Sequence, residues 1–142
     1  PRVIDRLQML VERTGEPLSL VGWSLGGYIA REVTREYPHL VRCVVTIGSP
    51  VVGGPKYTSV NRLYERRGLS ADALEAATLE RYANPIQRPV RAIYSEADGV
   101  VAWQACIDRF SDDVQHIRVT GTHVGLGFSK QVLRRLPALL DA

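Results

Sequence analysis

Cysteine, histidine and long apolar runs are all scarce in this chain of 142 residues, and each scarcity excludes something. The two cysteines, Cys43 and Cys106, make neither a disulfide framework nor a metal site. Cys43 lies in a β-branched apolar run and reads as a small core residue. Cys106 lies in a helix-like stretch. Two such thiols favour a reducing compartment, the cytoplasm. No apolar run approaches the ~20 residues of a membrane span. Charge excess is also small: 18 basic against 15 acidic side chains, a net +3. The basic pairs Arg66-Arg67 and Arg134-Arg135 fall on helical patterns. Solvated helix faces account for them, and no nucleic-acid partner is implied. Internal repeats and low-complexity segments are missing. The first residue is Pro1, and a helical pattern begins at once, so the lack of a leader carries no information.

What is present is an ordinary globular composition, 45% apolar and 23% charged. Its length suits one domain, residues 1–142, with a real core. Residues 2–14 predict an amphipathic helix through Val3, Ile4, Leu7, Leu10 and Val11, with Gly15 as its stop. Residues 18–22 predict a strand. Residues 25–37 predict a helix with Leu25, Ile29, Val33 and Tyr37 on one face, closed by Pro38. Residues 41–47 form a near-continuous β-branched run, as a parallel strand covered on both faces requires. Residues 48–60 read as loop, and 61–67 and 71–82 as helical. Strands are expected at 90–94 and 114–119, with a short helix from Trp103 to Phe110 between them. Ser129 is an N-cap candidate for a last helix over 129–136, which Pro137 should kink or stop. Strands alternating with helices imply an α/β fold, a parallel sheet with helices on both faces.

One stretch organises the rest: Gly22-Trp23-Ser24-Leu25-Gly26. It sits between the first strand and the second helix, the place of a strand–turn–helix nucleophile elbow. In such a turn the serine is strained, and side chains two residues away on either side would collide with strand and helix. The Leu25 N–H, at a helix N-terminus, would face an oxyanion. Gly-x-Ser-x-Gly by itself arises by chance about one time in twenty in a chain of this size. Its position at a strand-to-helix junction, and the company it keeps, carry more weight.

A serine hydroxyl needs a base, and the base an orienting carboxylate. In open parallel sheets, ligands bind beyond the carboxyl ends of the strands. Ser24, Asp98 and His123 each follow such an end. Of the three histidines, His39 reads as a solvated loop residue and His116 lies inside a strand. His123 sits in a flexible glycine-flanked loop and is the candidate base. Asp98 has rivals in Glu96, Asp108, Asp112 and Asp113. It is preferred because Gly99 permits the loop to turn back over the strand edge.

With these residues in place, the chain resembles the C-terminal part of an α/β-hydrolase of the serine lipase/esterase type. Four stretches carry the resemblance: Val21 to Gly27, Ile47-Gly48-Ser49-Pro50, Ile93 to Val101, and Gly121 to Leu126. It covers nearly the whole chain, and the order Ser, Asp, His fits it. It implies catalytic Ser24, Asp98 and His123, a small-molecule or lipid ester substrate, and no metal or organic cofactor. The segment 48–89 is long for a crossover. In lipase-like relatives it often carries a cap, and Tyr57, Leu63, Tyr64, Leu69 and Leu74 would then line an acyl pocket. The equal alternative is a crossover helix pair packed on the sheet. Trp23 and Trp103 flank the nucleophile and acid positions, as packing residues or as pocket walls.

The resemblance also exposes a departure. A complete domain of this kind has several strands before the elbow, and a loop after one of them supplies the second oxyanion donor. Here one helix and no strand precede it. The expectation is a fragment, or a chain completed by a partner. An exposed sheet edge beside the elbow strand would pair with a missing N-terminal half or with a second copy. Two rival readings stand beside ester hydrolysis: acyl transfer, thioester or peptide cleavage on the same machinery, and a non-catalytic interaction module.

Overall fold

A computed structural model describes residues 2–51, 79 and 83–141. In chain order, the described elements begin with α1 (Arg2–Thr14), β1 (Leu18–Trp23), α2 (Leu25–Glu36) and β2 (Val41–Ile47). They continue with β3 (Val90–Tyr94), β4 (Val114–Arg118), α3 (His123–Leu126) and α4 (Lys130–Leu140). Single 3₁₀ turns lie at Pro38–Leu40 and Trp103–Cys106. The expected helix over 61–67, that over 71–82 apart from helical Leu79, and the proposed pocket residues Tyr57, Leu63, Tyr64, Leu69 and Leu74 lie outside the described residues.

The four strands form one parallel sheet in the order β1-β2-β3-β4. Trp23 pairs with Ile47, Ile47 with Ile93, and Ile93 with Ile117. The carboxyl ends of β1, β2 and β3 are therefore level, and the loops leaving them converge. Among the described residues β1 pairs with β2 alone, so the elbow strand is the edge strand expected from the sequence.

Alternation along β2 shows why helices cover both faces. Val45 and Ile47 join Ile93, Ile117, Leu126 and Val132 on one face, sealed by Leu136, Leu139 and Leu140 of α4. Cys43 points the same way, its buried thiol 3.7 Å from the Leu139 and Leu140 carbonyls. Val44 packs on the other face with Val90, Ile86 and Ala30 of α2. Leu7 of α1 is buried with Val33, Leu40 and Val41. Gly15 ends α1 at φ 75°, as its sequence position suggests.

Three expectations are corrected. The helix over 103–110 is only a 3₁₀ turn ending at Cys106. Asp108 draws the following backbone out of helical geometry: its Oδ1 accepts from the N–H groups of Phe110 and Ser111, and its own N–H donates to His116 Nε2. Of the two outcomes expected at Pro137, a stop does not occur: α4 runs on to Leu140 with the proline inside it. Its apolar stripe continues past the proline into the core, which outweighs the lost hydrogen bond. On α2, Leu25 and Ile29 face solvent, while Gly27, Arg31, Val33 and Thr34 are buried. Close contact of Gly27 with its surroundings, and a buried ion pair, set that rotation.

The ion pair joins Arg31 Nη2 to Asp108 Oδ2 at 2.6 Å, with both side chains under 5% exposed. Burial alone would raise the Asp108 carboxyl. The Arg31 charge, with hydrogen bonds from Ser111, Arg31 and Phe110, overrides it and holds the group at about 2. An unfolded aspartate titrates near ~3.9. The pair therefore stabilises the fold fully above about pH 4 and ceases to as pH falls through about 2. Asp108→Ala should lower the unfolding free energy by about 3 kcal/mol in urea titrations at pH 7, since it strands a buried guanidinium. The difference between variant and parent should shrink steadily between pH 4 and pH 2.

Candidate active site

Chain reversal at the end of β1 creates the site. Ser24 has φ 54° and ψ −124°, the one positive φ outside glycine among the described residues. Such a conformation persists only where surrounding contacts impose it. Here the Ser24 N–H donates to the Ile47 carbonyl at 2.9 Å, and the Ser24 carbonyl accepts from Gly27 and Tyr28. The half-buried serine is thereby presented at the head of α2. Leu25 opens α2, so its N–H is among the helix-terminal donors that have no intrahelical acceptor.

The glycine requirement differs from the one expected. A Cβ on Gly22 would strike the Gly27 backbone, and a Cβ on Gly27 would strike Ser49 Oγ and approach the Gly22 carbonyl to 2.7 Å. A Cβ on Gly26 would meet nothing within 4 Å. The obligatory pair is Gly22 and Gly27, three residues beyond the serine, because the first turn of α2 brings residue 27 rather than 26 against β1.

Ser24 Oγ lies 2.9 Å from His123 Nε2, and His123 Nδ1 lies 2.7 Å from Asp98 Oδ2. A carboxylate oxygen only accepts, so Nδ1 carries the proton and Nε2 is left to accept from the serine hydroxyl. The Asp98 side chain is 1% exposed. Its Oδ1 accepts from the N–H groups of Val100 and Val101, each at 2.9 Å. These bonds shape the loop after β3. Gly99 has an ordinary φ and open space around it, so the expected glycine turn is in fact made by the aspartate itself.

His123 is buried, 7% exposed, and opens the short helix α3 rather than lying in a flexible loop. Thr122 caps that helix by accepting from the Gly125 N–H, and Leu126 anchors it in the core. Ser95 Oγ accepts from the Gly121 N–H at 3.2 Å, tying the loop after β4 to the end of β3. Gly48, directly after β2, takes φ 53°, and a Cβ there would come within 3.0 Å of Asp98 Oδ2 and 3.4 Å of His123 Nδ1. Its contact with the Asp–His pair was not legible; the sequence shows only a strand-ending Gly48-Ser49-Pro50.

The remaining candidates fall elsewhere. Glu96 pairs with Arg118 at 3.0 Å on the surface, and Asp113 with Arg91 at 2.8 Å. His39 is exposed, as expected. His116 accepts from the Asp108 N–H, and burial pulls its ring below the usual histidine range. Cys106 is buried near Asp98; desolvation, then the Asp98 charge, push its thiol up to about 12. Trp23 donates its indole N–H to the His123 carbonyl at 3.1 Å. Trp103 stacks on Tyr94 at 5.9 Å between ring centres. Tyr57 lies outside the described residues. No group of three or more His, Cys, Asp or Glu among the described residues could hold a metal ion. No described helix is long and apolar enough to cross a membrane.

Residues 3–69 match the family model for the alpha/beta hydrolase fold. An esterase from Pyrococcus furiosus superposes with a TM-score of 0.70 at 16% identity, over 99% of this chain and 60% of its own. An alpha/beta hydrolase enzyme from the metagenome of Mar Chica lagoon sediments gives 0.63 at 20% identity, over 96% and 67%. A monoacylglycerol lipase from Paleococcus ferrophilus gives 0.61 at 16% identity, over 98% and 72%. This chain has the α/β-hydrolase fold. It spans about three-fifths of the length of the esterase it matches. A search of curated sequences gives no match.

Within this α/β-hydrolase fold the elbow depends on two backbones touching. Gly27→Ala should therefore destabilise the protein by about 3 kcal/mol or more, as a forced backbone shift in a packed site does. Gly26→Ala should be neutral or stabilising by up to ~1 kcal/mol, because alanine favours helix. Thermal melts of the two variants side by side check this.

Proposed function

We propose that this protein is a serine hydrolase of carboxylic esters, working through an acyl-enzyme on Ser24. The observation that carries this reading is the continuous hydrogen-bonded line from Ser24 Oγ through the His123 ring to Asp98 Oδ2, at 2.9 and 2.7 Å. As Ser24 Oγ attacks the ester carbonyl carbon, its proton passes to His123 Nε2. The carbonyl π electrons move to oxygen, and the Leu25 N–H at the head of α2 stabilises that oxyanion. The tetrahedral intermediate collapses, the C–O bond to the alcohol breaks, and His123 delivers its proton to the departing oxygen. Water then attacks the acyl-enzyme by the same route, releasing the acid and restoring the serine. Asp98 keeps the imidazole in the required tautomer and offsets its transient positive charge.

Substrate chemistry is suggested by the rim. Trp23 and Leu25 flank Ser24, Val124 follows His123, and the Phe128 ring meets Trp23 edge-on; they are 38%, 57%, 62% and 75% exposed in that order. Such a cluster beside a nucleophile suits an ester with an apolar acyl chain. Thioesters offer the same carbonyl to the same serine, so acceptor and leaving group are read from a substrate panel.

Treatment with a fluorophosphonate should add one mass adduct to the wild type and none to Ser24→Ala. An unmodified wild type would overturn the reading. Asp98→Asn should lower kcat/KM by a factor on the order of 10⁴, through the wrong imidazole tautomer. Hexanoate esters should exceed acetates in kcat/KM by at least about tenfold, if two of the added methylenes are buried at ~0.8 kcal/mol each. Equal rates would place the acyl chain away from this rim.

A further inference from the structure

The residue before the nucleophile reaches across to the residue that carries the base. Asp98 and Ser24 hold the His123 ring at its two nitrogens, but neither holds the His123 backbone. The four-residue helix α3 is too short to do so alone. In a longer helix the His123 carbonyl would accept from the Gly127 N–H. Here that N–H goes to the Val124 carbonyl at 3.2 Å. The indole N–H of Trp23 takes its place, at 3.1 Å from the His123 oxygen.

The indole is itself held. Trp23 belongs to β1 and pairs with Ile47. One face lies against Gly127, where a Cβ would sit 3.3–3.5 Å from three indole carbons. The Phe128 ring meets it edge-on at 6.5 Å, and the imidazole of His123 lies tilted by 33° at 5.7 Å. The indole thus connects the end of β1 to α3, 100 positions further along the chain.

We propose that Trp23 is a positioning residue for His123: its indole N–H fixes the carbonyl of that residue, and so holds Nε2 at hydrogen-bonding distance from Ser24 Oγ. This rests on the reading of His123 as the base. Trp23 moves no proton and need not touch substrate. Its contribution is to the geometry of a step that misplacement by ~1 Å slows by about 10².

The test replaces Trp23 with 3-benzothienylalanine, which keeps the shape of the indole and exchanges N–H for sulfur, beside Trp23→Phe. Three quantities are read on the full chain: the rate of fluorophosphonate labelling, kcat and KM for an ester, and the ¹⁵N resonances of the His123 imidazole. The isostere should slow labelling and kcat by about tenfold, a fraction of the penalty for full misplacement, with KM within about twofold. Its His123 resonances should broaden through exchange while the melting temperature stays within about 2 °C. Wild-type rates together with an unchanged His123 spectrum in the isostere would overturn the proposal. If the wild type neither labels nor turns over, ester hydrolysis falls, and the spectrum alone decides: broadening in the isostere supports the clamp, and identity refutes it.

Discussion

Contact between the backbones at Gly22 and Gly27 is the constraint from which the site follows. Either Cβ would occupy space that the other segment, or Ser49, already fills. Because the strand and the first turn of α2 lie that close, the chain must reverse within one residue. Ser24 then has no choice but the positive φ it adopts. The strain is borne by the Ile47 carbonyl, which accepts from its N–H, and by the first turn of α2, whose Gly27 and Tyr28 N–H groups donate to its carbonyl. The hydroxyl of a serine so held meets, at 2.9 Å, the imidazole that arrives from the far end of the chain.

Parallel register supplies the other half of the geometry. Trp23, Ile47 and Ile93 are neighbours across the sheet, so the residues that follow them leave at one level. Those residues are Ser24, Gly48 and, a few positions on, Asp98. Gly48 leaves room beside the carboxylate, and the carboxylate organises its own loop by accepting from Val100 and Val101. The His123 segment then docks from β4 through Leu126, Ser95 and the Trp23 indole. Each loop is positioned by something in the neighbouring one, which is how short, separate segments converge on one place.

A second Asp–His association shows what distinguishes the site chemically. Asp108 and His116 also meet, but through the Asp108 backbone N–H, while the Asp108 carboxylate is committed to Arg31. Nothing in that arrangement leaves a histidine nitrogen facing a nucleophile. It binds α2 to the segment before β4 and stabilises the frame. Residue types are the same in the two places; the partner taken by the carboxylate decides whether the histidine is left facing Ser24.

Periodicity and local chemistry were sufficient for much of this. Strands β1 to β4 came within one residue of their ends from short apolar runs between turn signals, clearest in β2, whose β-branched run is buried on both faces. The order of Ser24, Asp98 and His123 at strand ends was legible for the same reason. What the one-dimensional pattern could not hold were contacts between segments far apart in the chain. Gly26 and Gly27 look alike in sequence, and only the approach of Ser49 and Gly22 shows which one must lack a side chain. Leu25 and Ile29 look like a core face of α2, but the Gly27 contact and the Arg31–Asp108 pair rotate that helix and leave them in solvent. Gly48 and Trp23 act on residues 50 or more positions away, at distances that packing alone sets. Composition and spacing determined the fold and placed Ser24, Asp98 and His123 at strand ends; tertiary structure decided which neighbours hold them in place, since that depends on three-dimensional closeness between segments that share no local signal.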